Sequence, residues 1–586
     1  MEYMKEIERM YDDRFGMFVH FGLYSILAGE WKGQRPPEHP LGEWIQWSLR
    51  IPNAEYGALA EQFRPAPDWA DRLVRAAKDA GMRYVVLTSK HHDGFCLFRT
   101  AVSGYNSVDL CGRDLVEELH QACGKYGLRM GLYYSHCLDW HEPDAGGQIG
   151  TYANTPARNN NFWDFPDRTG RPDEFDAYLK RKAFPQVTEI LTRYPDLYLI
   201  WFDFPHNILP AQTKELRTLV KTLAPHCLIN SRIGHGCEDY TSLGDNSIPS
   251  VPTGIPTECL VTLNDTWGYK WYDNNWKTPE YMTELLTRCI AGGTTLLLNV
   301  GPMADGTLTP ETAHILAEMG RWTRRNAEAV YGMRENPLRF MFDWGYLAYR
   351  ENRLYAYIRD KGIRTLALSG LRGKVTDAAR VSDGRAAAWT QENDTLTVTL
   401  PETDETLPVY RIACDAEIIP SERIVQCGEH LNLMPIWAGK YNAAGAEDTL
   451  VFERLYDPAN GTHGLAIDRT SLLTHWTDER ERVYWDAAIR AGRYRVALTA
   501  ALGEYAGGAE VTLTRGDAAV RTEVPVLTES SRYNLSRTGH DNIRTVYALP
   551  EIMLPEDGTW RVTVGLKNGN GKNLPLYAVD LYAAQA

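Results

Sequence analysis

The sequence lacks the apolar segments that mark membrane-spanning and secreted proteins. No run approaches the ~20 apolar residues that a bilayer-spanning helix needs. The first 18 residues, MEYMKEIERMYDDRFGMF, are charged where a signal peptide requires an apolar core of about 7–15 residues. We therefore expect a cytoplasmic protein with no membrane partner.

Paired cysteines are also missing. The ten cysteines lie singly along the chain, with no CxxC pair and no dense spacing. A disulfide framework or a cysteine metal site needs such spacing, so we predict reduced and mostly buried thiols. These residues are Cys96, Cys111, Cys123, Cys137, Cys227, Cys237, Cys259, Cys289, Cys414 and Cys427.

The sequence also lacks nucleotide-binding and serine-hydrolase motifs and a net positive charge, which excludes several classes of function. No GxGxxG or GxxxxGK[ST] motif follows a strand-like run, and no GxSxG elbow is present, which disfavours nucleotide binding and serine-hydrolase chemistry. The chain carries 62 Lys and Arg against 76 Asp and Glu, a net charge of −14. Such a surface repels phosphate, so we expect a neutral substrate, no nucleic acid and no cofactor.

The first part of the chain alternates short apolar runs with amphipathic helical segments. Seven or eight such units in ~300 residues favour a (β/α)8-type barrel over an open doubly wound sheet, and we assign it residues 1–335. Polar and aromatic residues follow the strands, as a barrel active site requires. The predicted strands lie in FGMFVHFG, RYVVLTSKHH, RMGLYYSH, LYLIWFD, CLINSR, TECLVTLN and TTLLLNVGP.

Beyond about Asn336 the pattern changes to short alternating strands separated by turn residues. We predict two C-terminal β-sandwich domains, residues 336–426 and residues 427–586. For the second sandwich, glycan binding, a rim to the active site and oligomerisation all stay open. The oligomeric state is not readable from this pattern.

Several carboxylates follow predicted strands. Asp203 ends LYLIWFD beside two aromatic residues, where it either caps the next helix or acts as a nucleophile or general acid/base. Asp245 and Glu258 lie in two later carboxylate-bearing segments that the barrel places over its mouth. Paired carboxylates in such a position are what glycoside hydrolysis needs.

Aromatic residues are abundant around the same strand ends. Flat aromatic faces beside hydrogen-bonding side chains suit a sugar ring, although core packing explains many of them equally well. The residues concerned are Trp31, Trp44, Trp47, Tyr133, Tyr134, Trp140, Trp201, Trp267 and Trp271.

The adjacent His91 and His92, in TSKHHDGF, have three interpretations. Metal binding is disfavoured, because neighbouring residues of a strand face opposite sides and no further ligands stand at suitable spacing. The others are a buried structural role and contact with sugar hydroxyls, to which imidazole can donate and from which it can accept. Sugar contact by both requires the strand to end or bend there.

Taken in order, the motifs resemble family 29 of the glycoside hydrolases, the α-L-fucosidases. The resemblance spans about Phe15 to Gly306. The motifs that carry it are FGMFVHFGLYSILAGEW, GEWIQW, YVVLTSKHHDGFCLF, RDLVEELHQACGKYGLRMGLYYS, LYLIWFD, INSRIG, NDTWGY and GGTTLLLNVGPMADG.

The resemblance implies a barrel with an attached β-sandwich, no metal, a fucosylated glycan substrate and retaining hydrolysis through a covalent fucosyl-aspartate. Asp203 matches the family nucleophile. Phe18 and Trp267 match the apolar walls that face the C6 methyl group of fucose. The other positions that match sugar-binding residues are His20, Trp44, His91, His92, Tyr134, Trp201 and Arg232.

The acid/base has two candidates under this resemblance. Asp245, in DYTSLGDNSIP, is favoured, and Glu258 is the alternative. Phe204 and Pro205 follow the nucleophile where the family commonly has glycine, so the linkage that is cleaved stays open. A glycosidase acting on a related L-sugar, and a non-catalytic carbohydrate-binding protein on the same scaffold, are the alternative functions.

Overall fold

The computed structural model of the chain describes residues 2–36, 41–146, 161, 163–165, 172–205, 207–249, 251–392, 394–442, 447–448, 466–468, 472–501, 504–527, 529–534 and 543–584. They form two compact units. The first contains Met1–Ile248, Ile255–Cys289 and Thr294–Gly332, and the second contains Pro249–Gly254, Ile290–Gly293 and Met333–Ala586.

The first unit is built on eight parallel strands. These are β1 (Phe15–Val19), β2 (Tyr84–Lys90), β3 (Arg129–Ser135), β4 (Leu199–Asp203), β5 (Leu228–Ile229), β6 (Thr241–Ser242), β7 (Thr257–Thr262) and β8 (Thr294–Val300). Their order is β5-β4-β3-β2-β1-β8-β7-β6, and a parallel bridge from Asn230 to Tyr240 joins the two ends. The predicted (β/α)8 barrel is confirmed.

The strands are apolar along most of their length because both of their faces are covered. Every residue of β1, β2, β4, β7 and β8 is buried. This is the pattern expected where one face fills a barrel interior and the other packs on helices.

The helices of this unit are α1 (Glu2–Asp13), α2 (Tyr24–Leu27), α3 (Ile45–Leu49), α4 (Asn53–Gly57), α5 (Trp69–Ala80), α6 (Ser107–Cys111), α7 (Leu115–Tyr126), α8 (Pro172–Tyr178), α9 (Phe184–Arg193), α10 (Pro210–Leu223), α11 (Pro279–Ala291) and α12 (Pro310–Arg325). Gly81 and Gly127 follow α5 and α7 in the left-handed conformation that commonly ends a helix.

The second unit is antiparallel and begins with a small sandwich. Its strands are β9 (Gly345–Arg350), β10 (Arg353–Ile358), β11 (Thr365–Ser369), β12 (Val375–Arg380), β13 (Ala388–Glu392), β14 (Thr395–Thr399) and β15 (Val409–Cys414). They form a sheet of order β12-β15-β10-β9 and a sheet of order β11-β14-β13. Leu354, Leu366, Val398 and Ile412 are among the buried residues of their shared core.

A larger sandwich follows. Its strands are β16 (Ile424–Val425), β17 (His430–Leu433), β18 (Gly439–Asn442), β19 (Glu447–Asp448), β20 (Ala466–Asp468), β21 (Leu472–Thr474), β22 (Glu481–Ile489), β23 (Gly492–Ala500), β24 (Gly508–Arg515), β25 (Ala518–Val524), β26 (Glu529–Asn534), β27 (Ile543–Leu554), β28 (Gly558–Lys567) and β29 (Leu576–Ala583). One sheet has the order β19-β18-β22-β28-β24-β25, with β16 on β22. The other has the order β20-β21-β29-β23-β27-β26, with β17 on β29.

These sheets confirm the predicted fold class, a barrel followed by β-sandwiches. The boundary at residues 426 and 427 stays a prediction; β16, just before it, pairs with a strand of the larger sandwich. Within the part of the chain that the structure describes, no helix has the length and apolarity needed to cross a bilayer.

Candidate active site

The carboxyl ends of the barrel strands surround a cavity of about 190 Å³. Pockets for drug-sized ligands measure ~300–1,000 Å³, so this cavity suits a ligand of about one ring. It is lined by Phe18, His20, Leu41, Glu43, Trp44, His91, His92, Tyr133, Trp201, Asp203, Phe204, Arg232, Asp245, Leu260 and Trp267.

Asp203 is the last residue of β4, and three donors hold its carboxylate. Oδ2 accepts a hydrogen bond from the Tyr133 hydroxyl at 2.9 Å. Oδ1 accepts from Arg232 Nη1 at 2.9 Å and from the backbone N–H of Phe204 at 3.0 Å. These hydrogen bonds satisfy both oxygens of the buried side chain and fix its direction towards the cavity.

Arg232 joins Asp203 to Asp245. It lies on the short helical turn Ser231–Ile233 after β5, and its Nη2 donates to Asp245 Oδ1. Burial opposes the charge of Arg232, but attraction to the Asp245 and Asp203 carboxylates outweighs it and raises the pKa of the guanidinium. The Asp245 side chain is 49% exposed, which places this carboxylate at the mouth of the cavity.

The paired histidines lie on one side of the chain, although the residues of a regular strand alternate. The register between β2 and β3 shifts between Thr88 and Lys90, and β2 ends at Lys90. As a result the rings of His91 and His92 lie 4.1 Å apart and both line the cavity. The chain therefore bends at the end of β2, as contact of both histidines with one sugar requires.

A buried ion cluster anchors this bend. Asp139 Oδ2 lies 3.0 Å from Lys90 Nζ and 2.9 Å from Lys182 Nζ, and all three side chains are fully buried. The backbone N–H of Trp140 also donates to the carbonyl of His92 at 2.7 Å. The cluster therefore fixes the backbone on both sides of the histidines.

The hydrogen bonds of His92 define its tautomer. The Ser135 hydroxyl donates to the carbonyl of Leu138 at 2.8 Å, so its oxygen accepts from His92 Nδ1 at 2.7 Å. His92 Nε2 then lies 3.8 Å from Asp203 Oδ2. Burial, followed by the charges of its neighbours, lowers the pKa of His91 well below its ordinary value, so its imidazole is neutral.

His20 is neutral as well. Asn299 Nδ2 donates to the carbonyl of Trp267 at 2.8 Å, which leaves Asn299 Oδ1 to accept from His20 Nδ1 at 2.7 Å. Burial lowers the pKa of His20 to about 4. Its Nε2 is thus an acceptor for a ligand hydroxyl.

Aromatic rings form the remaining walls. Phe18 lies 5.2 Å from Trp201 and 6.2 Å from Trp267, measured between ring centroids. Tyr133 stacks on Trp201 at 5.6 Å with an interplanar angle of 16°. Trp44 packs 5.0 Å from His92 on another side. The cavity therefore combines apolar faces with polar edges.

Two predicted site residues do not line this cavity. The Tyr134 hydroxyl donates to Gln186 Oε1 at 2.7 Å, on the outer side of β3, and the neighbouring Tyr133 faces the cavity instead. Glu258 is fully buried inside the barrel, where it accepts from Tyr84 and Trp201. The other ten predicted residues all line the cavity.

The sequence analysis missed Glu43, which lies beside Trp44 in GEW. Its side chain lines the cavity and is 1% exposed, Oε2 accepts from the backbone N–H of Gly268 at 2.8 Å, and Oε1 is buried without a partner among the described residues. Burial raises its pKa to about 7. A carboxylate directly beside a predicted pocket tryptophan was the available signal.

Phe204, which follows Asp203, stands where the family commonly has glycine. Phe204 has φ = 49°, in the left-handed region that favours glycine. Its ring nevertheless lies 5.4 Å from Trp44 and 5.0 Å from His92, and lines the cavity. Ring packing offsets the backbone strain, and the side chain narrows the space beside the nucleophile candidate.

Among the residues that the structure describes, no group of three or more His, Cys, Asp or Glu side chains is arranged to hold a metal ion. A ligand here meets neutral imidazoles, carboxyl groups, one guanidinium and aromatic rings. This arrangement can bind a neutral polyhydroxylated ring and present two carboxylates to it.

Comparison with known proteins identifies the family. A family model described as Alpha-L-fucosidase matches residues 2–328, more than half of the chain. The chain belongs to the alpha-L-fucosidase family. The predicted resemblance is confirmed, and the enzyme is a glycoside hydrolase that hydrolyses α-L-fucosyl linkages.

Individual relatives agree. The tissue alpha-L-fucosidase of Rattus norvegicus is 30% identical over 354 residues, which cover 56% of this chain and 70% of that protein. An alpha-L-fucosidase isoenzyme 1 from Paenibacillus thiaminolyticus has a TM-score of 0.62 at 32% identity, covering 71% of this chain and 100% of that one. An alpha-L-fucosidase from Vibrio sp. strain EJY3 has a TM-score of 0.78 at 24% identity and covers 99% of this chain and 98% of that one, a similarity of fold.

Proposed function

We propose that the enzyme releases terminal α-L-fucose from fucosylated glycans with retention of configuration, with Asp203 as nucleophile and Asp245 as acid/base. The observation that carries this proposal is the arrangement of the two carboxylates on one guanidinium, that of Arg232. Such an arrangement is compatible with the ~5–5.5 Å separation of carboxyl groups in retaining enzymes.

In the first step an Asp203 oxygen attacks the anomeric carbon. A bond forms between them, the bond from the anomeric carbon to the leaving oxygen breaks, and Asp245 gives its proton to that oxygen. In the second step Asp245 takes a proton from water, whose oxygen attacks the same carbon and releases Asp203. The hydrogen bonds from Tyr133 and Arg232 hold the Asp203 carboxyl group in position for the attack.

The exposure of its side chain favours Asp245 over the other carboxyl groups as the acid/base. The leaving saccharide departs towards solvent, so its proton donor must lie at the mouth, where Asp245 is 49% exposed. Glu258 lies inside the barrel and Glu43 is buried in the wall. Because its pKa is raised to about 7, Glu43 retains its proton in much of the population near neutral pH and can donate a hydrogen bond to a sugar hydroxyl.

The remaining lining residues would bind the sugar. Neutral His20 can accept a hydrogen bond from a sugar hydroxyl through Nε2. Neutral His91 can hydrogen-bond to a hydroxyl group, and His92 lies beside the nucleophile. Phe18 and Trp267 supply apolar surface that suits the C6 methyl group of fucose.

Azide rescue with an aryl α-L-fucoside tests the two roles. In Asp203→Ala, azide replaces the nucleophile in a single displacement, and we expect a β-fucosyl azide. In Asp245→Ala, azide attacks the covalent intermediate, and we expect an α-fucosyl azide. Both variants should lose several orders of magnitude in rate with substrates that have poor leaving groups.

Glu43→Gln and Glu258→Gln are the matched controls, since both keep the side-chain shape. The acid/base assignment to Asp245 is wrong if Asp245→Ala still hydrolyses the fucosides while azide restores turnover of Glu43→Gln and yields an α-fucosyl azide. Undiminished hydrolysis by Asp203→Ala would remove Asp203 from the nucleophile role.

A further inference from the structure

An exposed aromatic cluster lies at the same end of the barrel as the cavity. Trp271, in the loop after β7, is 52% exposed. The guanidinium of Arg35 lies over its ring at 4.7 Å and over the Tyr272 ring at 4.3 Å. The two aromatic rings meet edge to face, 5.5 Å apart. We call Arg35, Trp271 and Tyr272 the rim cluster.

The rim cluster is held in place. The backbone N–H of Trp271 donates to the carbonyl of Ala28 at 3.1 Å, and the Tyr272 hydroxyl donates to the carbonyl of Gly29 at 3.0 Å. Arg35 Nε donates to Glu30 Oε2 at 3.1 Å. A large apolar ring is thus kept in water by fixed contacts, a costly arrangement that is typical of a binding surface.

The cluster lies near the catalytic cavity. Trp271 follows Trp267, which lines the cavity, by four residues. Four residues of extended chain span at most about 14 Å. Trp271 therefore lies within the length of a few sugar units of the cavity wall.

A second cleft is lined in part by Glu30, the residue that accepts the hydrogen bond from Arg35. Its volume is about 480 Å³, within the ~300–1,000 Å³ of ligand pockets. It is lined by Ile26, Leu27, Glu30, Trp31, Glu55, Ala58, Leu59 and Gln62. Carboxylates and an amide, beside apolar side chains and a tryptophan, match the hydroxyl edges and C–H faces of a neutral sugar.

We propose that the rim cluster and this cleft bind the part of the glycan that follows the fucose, a neutral oligosaccharide of hexose or N-acetylhexosamine units. The inference rests on the proposed function. Trp271 offers a stacking face to a sugar ring, and Arg35 keeps the indole in place. Glu30 and Gln62 contact the hydroxyl groups of the next units.

The test compares substrates of different length. An aryl α-L-fucoside occupies only the cavity, whereas fucosylated lactose and fucosylated N-acetylglucosamine extend beyond it. For Trp271→Ala we expect the ratio of kcat/KM between the glycans and the aryl fucoside to fall about tenfold, the value of one lost aromatic contact. Trp389→Ala, at a tryptophan of β13 that is 37% exposed, is the control and should keep the ratio.

A measurement without turnover completes the test. Saturation-transfer NMR on the Asp203→Ala variant should show transfer to the protons of the units beyond fucose, and adding Trp271→Ala should remove it. An unchanged ratio, or no transfer beyond fucose, overturns the inference. So does dissociation of a dimer by Trp271→Ala without a change in ratio, since the cluster would then contact a second copy. Failure of the wild-type enzyme to cleave any fucoside would instead refute the proposed function.

Discussion

Replacing Glu258 with glutamine tests whether this carboxyl group is structural or catalytic. Glu258 Oε1 accepts from the Tyr84 hydroxyl at 3.1 Å, and Oε2 accepts from Trp201 Nε1 at 2.9 Å. Burial raises the pKa of Glu258 from 4.5 to about 7. Glutamine keeps the shape of the side chain, can accept from the indole and can donate to the tyrosine oxygen, but carries no charge at any pH.

The size of the effect follows from the pKa difference. A shift from 4.5 to about 7 corresponds to about 3 kcal/mol, at about 1.4 kcal/mol for each pKa unit. Because the pKa is raised in the folded state, the stability from the protonated group is fully present below pH 4.5. It is lost as the pH rises through about 7. Between pH 4 and pH 9 the free energy of unfolding of the wild-type enzyme should therefore fall by about 3 kcal/mol more than that of Glu258→Gln.

Urea unfolding of both proteins across this pH range, followed by tryptophan fluorescence, measures the difference. Glu43 has a similar pKa shift but is present in both proteins, so its contribution cancels. If the free energy of unfolding changes with pH in the same way for both proteins, Glu258 does not have the raised pKa on which the prediction depends. Because Glu258 does not line the cavity, we also expect kcat/KM of Glu258→Gln to stay within about tenfold of the wild-type value, whereas an acid/base variant loses far more.

Four further substitutions have defined outcomes. Gly320→Ala in α12 places a methyl group 2.3 Å from a backbone carbonyl oxygen of α5, so the melting temperature of this variant should fall. Gly124→Ala in α7 places its methyl group in open space, so the free energy of unfolding should rise by about 0.5–1 kcal/mol. Phe204→Gly removes a ring from the cavity wall at a left-handed position, so we expect a higher KM for aryl α-L-fucosides and faster release of bulky leaving groups, both measured by steady-state kinetics. His92→Phe keeps the ring but loses the nitrogen 3.8 Å from Asp203, so kcat should fall more than KM rises; an unchanged kcat would contradict a role beside the nucleophile.

Much of the fold was predictable because local sequence determines it. Long apolar runs such as YVVL become strands buried on both faces, and Gly81 and Gly127 end their helices, since only glycine adopts the left-handed conformation at little cost. Polar residues at the predicted strand ends, together with the family resemblance, also predicted that Asp203, His91 and Arg232 would meet. Parallel strands of a barrel bring their carboxyl ends to one face.

The identity of the residue that faces the cavity depended on tertiary structure. Neighbouring residues of a strand face opposite sides, so the pair Tyr133 and Tyr134 predicts one inward ring without saying which. The register decides it, because β3 pairs Tyr133 with Trp201 of β4 and directs both rings to the barrel interior.

The carboxyl groups illustrate the same division. The sequence by itself determined that Asp203, Asp245 and Glu258 lie within or after predicted barrel strands, whereas Glu43 was missed. Only the tertiary structure decided that Glu258 is buried inside the barrel, that Glu43 lines the wall and that Asp245 reaches the mouth beside Arg232. Burial and the distance to a partner side chain arise from contacts between residues far apart in the chain, and these contacts set the charge and the exposure of each carboxyl group.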